Sequence, residues 1–302
     1  MTKYVDLRIA TLELRDYLTA WGVDLPFELK RRDPEEPGRE RKEQMEDKLY
    51  AVMMRQFRWQ KKRLRELLQM HFPGRKTIGT YDIPATAWDA IFENDGFRAE
   101  LLKTLTLAAQ DGVLLFSDLM SLEIDYTMVN TAAAEWARKY SGQLIKNIYK
   151  TTKKVVGKEI AKFIETPGYS IGDIISELAR PNGIFSEQRA FTIAVTETTN
   201  AYGSAEQIAG IEMQKEFPDI QVIKTWFTSS DDRVCLICGP LHNVSVPVGE
   251  KFIGGDGAEY DSPAAHPRCR CSMSTRTDIT GEILEQRKPM EKPEEWENPY
   301  VE

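Results

Sequence analysis

The stretch DDRVCLIC (231–238), followed downstream by HPRCRC (266–271), carries all 4 cysteines of this 302-residue chain and decides how its C-terminal third folds. A C-x-x-C turn places two thiolates on one side of a tight loop, which is the usual half of a tetrahedral zinc site. The second stretch offers three candidate ligands, one more than a four-coordinate zinc needs. The sequence predicts a structural zinc site and does not select four of its five candidates, which are Cys235, Cys238, His266, Cys269 and Cys271.

The same side chains are open to other interpretations. Four cysteines can form two disulfides, or remain as reduced thiols in a core. A catalytic zinc would need an open coordination position and a general base, and Glu250, Asp256 and Glu259 lie nearby in sequence without forming a known signature. The N-terminal MTKYVDLRIATLELRDYL lacks the pattern of a signal peptide, so we expect synthesis in a cytosol, where thiols stay reduced. Structural zinc is the favoured interpretation.

Composition predicts a folded protein with a packed core. Hydrophobic residues make up 41% of the chain and charged residues 29%. The formal net charge of −7 argues against a protein that coats nucleic acid with its whole surface, although local basic faces remain open. No stretch approaches the roughly 18 consecutive apolar residues that a membrane-spanning helix needs, so we expect no membrane segment.

Most of the chain before residue 218 has the apolar spacing of helices. Residues 1–20 fit a short strand followed by a helix as well as one helix. The charged stretch KRRDPEEPGRERKEQ (30–44) contains prolines and a glycine and is predicted to be an exposed linker. A serine in N-cap position begins each of the last two predicted helices. Helices are predicted over 45–70, 84–94, 96–111, 114–123, 130–165, 170–180 and 186–217.

The character of the sequence changes after Pro218. IQVIKTWF (220–227) is apolar, β-branched and aromatic, and it is predicted to be a strand. Glycines and prolines crowd the residues that follow, which indicates a small loop-rich module that needs a staple because its core is small. RKPMEKPEEWENPYVE (287–302) is proline-rich and acidic and is predicted to be an extended tail that folds against a partner.

The predicted fold class is therefore α+β, with a predominantly helical body, a small loop-rich zinc-stapled β module and an extended C-terminal arm. The change of character at Pro218 sets the main boundary. The predicted domains are an N-terminal helical region, a second helical part, the zinc-binding module and the acidic tail, over 1–130, 131–217, 218–280 and 281–302.

Several short motifs occur in a recognisable order. Arg189 precedes IAVTE (193–197), and KTW (224–226), SDDRVCLIC (230–238) and AHPRCRC (265–271) follow. This order resembles the Mu-F-like phage head-morphogenesis family over about residues 140–275. The resemblance implies a low-copy minor head protein of a tailed bacteriophage, made with the portal protein and located inside the head near the portal vertex. It implies portal or capsid proteins as partners, together with packaged DNA whose delivery the protein would aid.

Two other function classes stay open beside a structural head protein. One is an effector enzyme carried in the head, a toxin or hydrolase, which would need a polar pocket around Glu197, Asp231 and His266 and an open metal position. The other is a plain nucleic-acid-binding module. We expect no enzymatic activity, because a zinc with four protein ligands has no vacancy for a substrate.

The remaining acidic residues of the motifs have structural interpretations. Asp231 and Asp232 are expected to bond backbone N–H groups of a turn, with Arg233 as a buttress. Glu197 lies in the middle of a predicted helix and is expected to be buried and paired with Arg189 or Arg233.

Basic residues cluster in two predicted helices. In the first cluster, an i, i+4 row winds gently around one side of the helix and is either a solvated face or a surface for nucleic-acid phosphates. That row comprises Lys146, Lys150, Lys154 and Lys158, with Lys162 continuing it and Lys153 beside it. The second cluster is interleaved with aromatic residues and would suit nucleic acid or an acidic portal surface. It comprises Arg55, Arg58, Lys61, Lys62, Arg63 and Arg65.

Overall fold

In the computed structural model of the chain, the described residues are 32, 36–72, 89, 91–92, 94–120, 126–166, 168–228, 234–279 and 281–283. The five α-helices precede the strands, and one short 3-10 helix (Gly239–Leu241) follows β1, which confirms the α+β class. The helices are α1 (Arg39–His71), α2 (Asp95–Met120), α3 (Tyr126–Glu165), α4 (Ile171–Ala179) and α5 (Glu187–Glu216). The strands are β1 (Gln221–Phe227), β2 (Ser245–Pro247), β3 (Phe252–Ile253), β4 (Glu259–Tyr260) and β5 (Ser272–Asp278).

Helix α1 begins at Arg39, inside the stretch predicted to be an exposed linker, so that prediction is wrong for its described part. Arg32 is only 2% exposed and Lys42 only 6%. Arg32 pairs with Glu36 at 2.9 Å and with Glu46 at 2.8 Å, and Lys42 pairs with Glu36 at 2.7 Å. A run of charged residues is typical of a solvent-exposed segment, but charged side chains can be buried when they form ion pairs. Which pairs form depends on the tertiary fold.

Helix α2 is continuous, although two helices separated near Gly112 were predicted from the sequence. A Cβ on Gly112 would lie 2.9 Å from the Cβ of Ala205 and 3.2 Å from the Cα of Tyr202, both on α5. Glycine at this position therefore allows α2 and α5 to approach closely, and it does not form a turn. Val113 and Phe116, just beyond it, are buried, which shows that the helix continues into the core.

Helix α5 is the central element of the described residues. It contacts α1, α2 and α3 on the helical side, and β1 and β5 on the other side. One hydrophobic core joins α1, α3 and α4 through residues such as Phe57, Phe163 and Leu178. A second joins α2 and α5 to β1 and includes Phe116, Ala209 and Val222.

Both predicted serine caps are confirmed. Ser170 Oγ accepts from the Asp173 N–H at 3.1 Å, and the Asp173 carboxylate accepts from the Ser170 N–H at 2.7 Å, which completes a capping box at α4. Ser186 caps α5 by accepting from the Arg189 N–H at 3.1 Å. Within the described ranges, no helix combines the length and hydropathy needed to cross a membrane.

The predicted strand over 220–227 is confirmed as β1, the middle strand of an antiparallel sheet of order β2-β1-β5. Trp226 stands opposite Met273 on β5, and Ile223 opposite Pro247 on β2. Strands β3 and β4 form a separate two-stranded sheet. The Trp226 ring meets Phe252 of β3 edge-on at 5.2 Å, so the two sheets share a small core with the cysteines.

Candidate metal centre

The structure brings all five predicted ligands together. They form two groups of three that share Cys238, one with Cys235 and His266 and the other with Cys269 and Cys271. Within each group the candidate ligand atoms lie within 4.8 Å of one another. The four cysteines are at most 8% exposed, so the donors face one another in an environment that excludes most water.

Two chain segments supply these donors. Cys235 and Cys238 lie in the turn after β1, where the Cys238 N–H points to Cys235 Sγ at 3.4 Å and the Gly239 N–H donates to the Cys235 carbonyl at 2.7 Å. Cys269 and Cys271 come just before β5, which pairs with β1. The antiparallel pairing of β1 with β5 therefore brings the end of one strand and the start of the other to the same place.

His266 is oriented as a metal-ligating histidine usually is. Its Nδ1 lies 2.8 Å from the carbonyl oxygen of Pro267, and since a carbonyl can only accept, Nδ1 carries the proton. Its Nε2 then lies 3.0 Å from Cys235 Sγ, inside the cluster. A ligating histidine commonly donates its other N–H to a backbone carbonyl, which fixes both the tautomer and the ring orientation.

Hydrogen bonds among the donors shift their pKa values. The hydrogen bond from Cys238 and those involving His266 lower the pKa of Cys235 to about 4, against the opposing effect of burial. Burial lowers the pKa of His266, but its hydrogen bonds with Cys235 and Cys269 outweigh this and raise it to about 11. In the absence of a metal, these pKa values favour a Cys235 thiolate beside a His266 imidazolium. A metal that binds thiolate and neutral imidazole would displace that proton.

The donor set fits a tetrahedral zinc. Zn–S bonds of about 2.3 Å imply tetrahedral S···S separations of about 3.8 Å, and Cys238 Sγ and Cys269 Sγ are 3.9 Å apart. A disulfide would need about 2.05 Å, and all four cysteines are free thiols. Four sulfurs and one imidazole are soft and borderline ligands that suit zinc better than calcium or magnesium. The cluster could therefore hold a metal ion of this kind.

Three threonines of α5 hold the loop that carries His266 and Cys269. Thr192 Oγ1 accepts from Arg268 Nε at 2.7 Å, and Thr196 Oγ1 accepts from the Arg268 backbone N–H at 2.9 Å. Thr199 Oγ1 donates to the Cys269 carbonyl at 2.8 Å. Arg268 adopts a positive φ of 63°, a conformation that these contacts support. Thr192 and Thr199 were not predicted from the sequence, although the spacing 192, 196 and 199 places all three threonines on one helix face.

Glu197 is buried on α5, as predicted. Of its two predicted partners, Arg189 does not pair with it, and Arg233 lies outside the described residues. Burial raises the pKa of Glu197 to about 7, with Tyr140 and Asn200 as its hydrogen-bonding neighbours. Arg189 instead donates to Thr152 Oγ1 at 3.1 Å and to the Ile184 carbonyl at 2.8 Å. The other predicted site residues of this region, Asp231, Asp232 and Arg233, lie outside the described residues.

The predicted lysine row is exposed along α3. Lys146, Lys150, Lys154 and Lys158 all face solvent, and none of them belongs to the metal cluster. The second basic segment, on α1, is partly neutralised by ion pairs: Arg55 with Glu100 at 2.9 Å, and Arg63 with Glu66 at 3.1 Å. The two clusters therefore differ, because the α3 row keeps more of its charge available.

A comparison with known protein families gives one finding. The model of the family described as Phage Mu protein F like protein matches residues 140–274, from the middle of α3 into β5. The resemblance predicted from the motifs is thereby confirmed, over almost the same residues. No curated protein and no solved structure matches the chain.

Proposed function

Residues 140–274 of the chain form a Phage Mu protein F-like region, and on that premise we propose that the protein is a minor structural protein of a tailed-phage head. In this proposal it resides inside the head near the portal and binds portal or capsid proteins during assembly. Its role is non-enzymatic, and it aids assembly and DNA delivery through its surfaces. The observation that carries the proposal is the family match, which spans α5, β1, β2, the start of β5 and all five clustered donors.

The cysteine cluster serves this role as a structural zinc site. The core around Trp226 and Phe252 is small, and the cluster itself supplies much of it. Small loop-rich units with so little apolar area need a staple. A bound zinc would hold the turn after β1 against the loop before β5, and α5 carries that loop through Thr196 and Thr199. The metal would thus fix the module to the helical body.

Metal analysis of the purified chain tests the zinc. We expect close to one zinc per chain, with loss of the metal on prolonged chelation and a lower melting temperature after that loss. Thiol mapping on the same sample provides the control. Free or disulfide-bonded cysteines with negligible zinc would contradict the proposal.

The location is tested on intact particles. Heads that contain the protein are treated with protease before and after they are opened, and the chain is followed by mass spectrometry. An internal protein resists digestion until the head is opened, whereas a major capsid surface loop is cut in both cases. Absence of the chain from purified heads, or cleavage in intact heads, would reject the internal location.

A second candidate function is contact with packaged DNA through α3. Among the described residues, Lys146, Lys150, Lys154 and Lys158 form no ion pair, and all four side chains are exposed along α3. Each phosphate that a lysine neutralises releases a counterion. Four such contacts predict that the logarithm of the affinity falls with the logarithm of salt with a slope of roughly −3 to −4.

Charge reversal on α3 tests this contact. We expect the double substitution Lys150→Glu with Lys154→Glu to weaken DNA binding and to lower the salt slope. Lys103→Glu, on the exposed surface of α2, is the matched control. Equal binding by both variants would reject the α3 row as the DNA face.

A further inference from the structure

Trp226 on β1 is the largest fully buried side chain in the part of the chain that the structure describes, and it packs in the same small core as the four cysteines. Its backbone is fixed from both sides, because its N–H donates to the Val244 carbonyl at 3.0 Å and its carbonyl accepts from the Asn243 N–H at 2.8 Å. Phe252 and Tyr260 hold the ring, with centroids 5.2 and 6.3 Å from its own. The indole therefore has a set position beside the cluster without any metal.

The pairing of β1 with β5 places Trp226 on the same side of the sheet as Cys271. Trp226 stands opposite Met273, and Cys271 precedes Met273 by two residues. Side chains two residues apart in an extended chain point to the same face, and a diagonal neighbour at that offset is within reach of a large aromatic side chain. The indole N–H accordingly faces Cys271 Sγ.

The indole N–H of Trp226 is buried, and among the described residues no nitrogen or oxygen atom accepts from it. Burial of a donor without an acceptor costs free energy. A neutral thiol is only a weak acceptor. A thiolate carries a full charge, and hydrogen bonds to charged groups are about twice as strong as neutral ones. The buried N–H is therefore best satisfied when Cys271 is a thiolate, which is the form that binds metals.

Cys271 and His266 are the two donors that compete for the last position of a four-coordinate ion, and the fold treats them differently. Cys271 directly precedes β5 and is 6% exposed. His266 lies in the loop and is partly exposed. A donor held at the end of a paired strand is positioned more precisely than one on a loop. The sheet thus favours Cys271.

We propose that Trp226 is a positioning residue of the metal centre, and that its indole N–H donates to the Cys271 thiolate and makes Cys271 a resident ligand ahead of His266. The inference rests on the structural zinc proposed above and adds the residue that selects its ligand. Thiolates outnumber the charges of a divalent ion in this cluster, so the centre is anionic. A donor aimed at one sulfur offsets part of that charge where water is excluded.

Competition of the full-length chain with a chromophoric chelator measures the effect on zinc affinity. Trp226→Phe keeps an aromatic ring but removes the N–H, and we expect it to weaken zinc binding by about tenfold, the lower end of the range for groups that orient metal ligands. Trp136→Phe is the matched control, since that ring stacks on Tyr140 in α3 away from the cysteines, and it should bind as the wild type does. Circular dichroism checks that each variant is folded.

A double-mutant cycle separates a contact with Cys271 from a general effect on the core. In the Cys271→Ala background the sulfur is gone, so Trp226→Phe should change the affinity by no more than about twofold. In the His266→Asn background the loss of about tenfold should remain. An equal loss in both backgrounds would show that Trp226 acts only through packing, and it would overturn the proposal.

Nuclear magnetic resonance gives a readout that packing alone would not produce and that needs no Trp226 variant. The zinc of the full-length chain is replaced by an NMR-active cadmium isotope, and the tryptophans are labelled with nitrogen-15. We expect a scalar coupling between cadmium and the indole proton of Trp226, carried through the Cys271 sulfur and lost in Cys271→Ala. Bound cadmium without this coupling overturns the proposal and leaves the structural metal intact. A wild type that binds neither zinc nor cadmium overturns both.

Discussion

The Thr199 hydroxyl on α5 donates a 2.8 Å hydrogen bond to the carbonyl of Cys269, one of the five clustered donors. The same hydroxyl accepts from Arg32 Nη2 at 2.7 Å. One side chain thus connects the buried ion pairs that precede α1, the central helix and the metal cluster. The geometry of the cluster depends on a residue 70 positions away in sequence.

Removal of this hydroxyl should weaken both the fold and the site. Thr199→Val keeps the shape of the side chain but removes the acceptor of Arg32 Nη2 and the donor to the buried Cys269 carbonyl. Arg32 keeps its pairs with Glu36 and Glu46, and the loss of the two hydrogen bonds costs about 1–3 kcal/mol of unfolding free energy. Groups that orient metal ligands contribute about 10- to 100-fold to metal affinity. We expect a loss within that range, measured by competition with a chromophoric chelator. Thr151→Val, an exposed threonine of α3, should change neither quantity.

The surplus of donors predicts unequal effects of ligand substitutions. Cys238 belongs to both groups of three, so Cys238→Ser should abolish stoichiometric zinc. His266→Asn and Cys271→Ser should each retain the metal with reduced affinity, because the other residue remains available to complete four ligands. The double variant should lose it. Zinc retention by Cys238→Ser, together with loss in either single variant, would show that the shared position is assigned wrongly.

Gly203 is where α5 meets the loop before His266. A Cβ at this position would lie 2.4 Å from the Pro263 carbonyl oxygen, too close for any side chain without movement of the backbone. Gly203→Ala should therefore lower the unfolding free energy by about 1–3 kcal/mol. Gly142→Ala is the control, because Gly142 lies on the exposed face of α3 and no atom lies within 4 Å of a Cβ placed there. That change should stabilise the protein by about 0.5–1 kcal/mol through helix propensity. Similar denaturation midpoints for both variants would argue against the close contact.

Glu197 should make stability depend on pH. Burial raises its pKa from 4.5 to about 7, so the folded protein binds a proton that the unfolded chain has lost between these values. The stabilising contribution is complete below pH 4.5 and declines as pH rises through 7, by at most about 1.4 kcal/mol per pH unit. Glu197→Gln should flatten this part of the profile and raise stability above pH 7 relative to the wild type.

Chemical denaturation across this pH range measures the effect as a difference between variants, which cancels the contribution of the metal. Glu135→Gln, an exposed glutamate of α3, is the control. A wild-type profile parallel to that of Glu197→Gln would show that the carboxylate is not destabilised by burial.

Local patterns predicted much of the fold. The apolar spacing predicted α3, α4 and α5 with bounds close to those observed, and Ser170 and Ser186 cap the helices that they were expected to begin. Strand β1 followed from a short apolar run between turn signals. These features depend on neighbours a few residues apart, so a single sequence contains the information. The helix break that was predicted near Gly112 is wrong, because the glycine there allows close packing against Tyr202 and Ala205 on another helix.

The sequence by itself predicted which side chains come together in the cysteine–histidine cluster, since C-x-x-C and H-x-x-C-x-C confine these donors to two short loops. Only the tertiary structure decided what holds those loops and what surrounds them. The threonine contacts of α5 and the burial of Arg32 both join residues far apart in the chain. Packing of α5 between the helices and the sheet creates these contacts, and local spacing does not encode such packing.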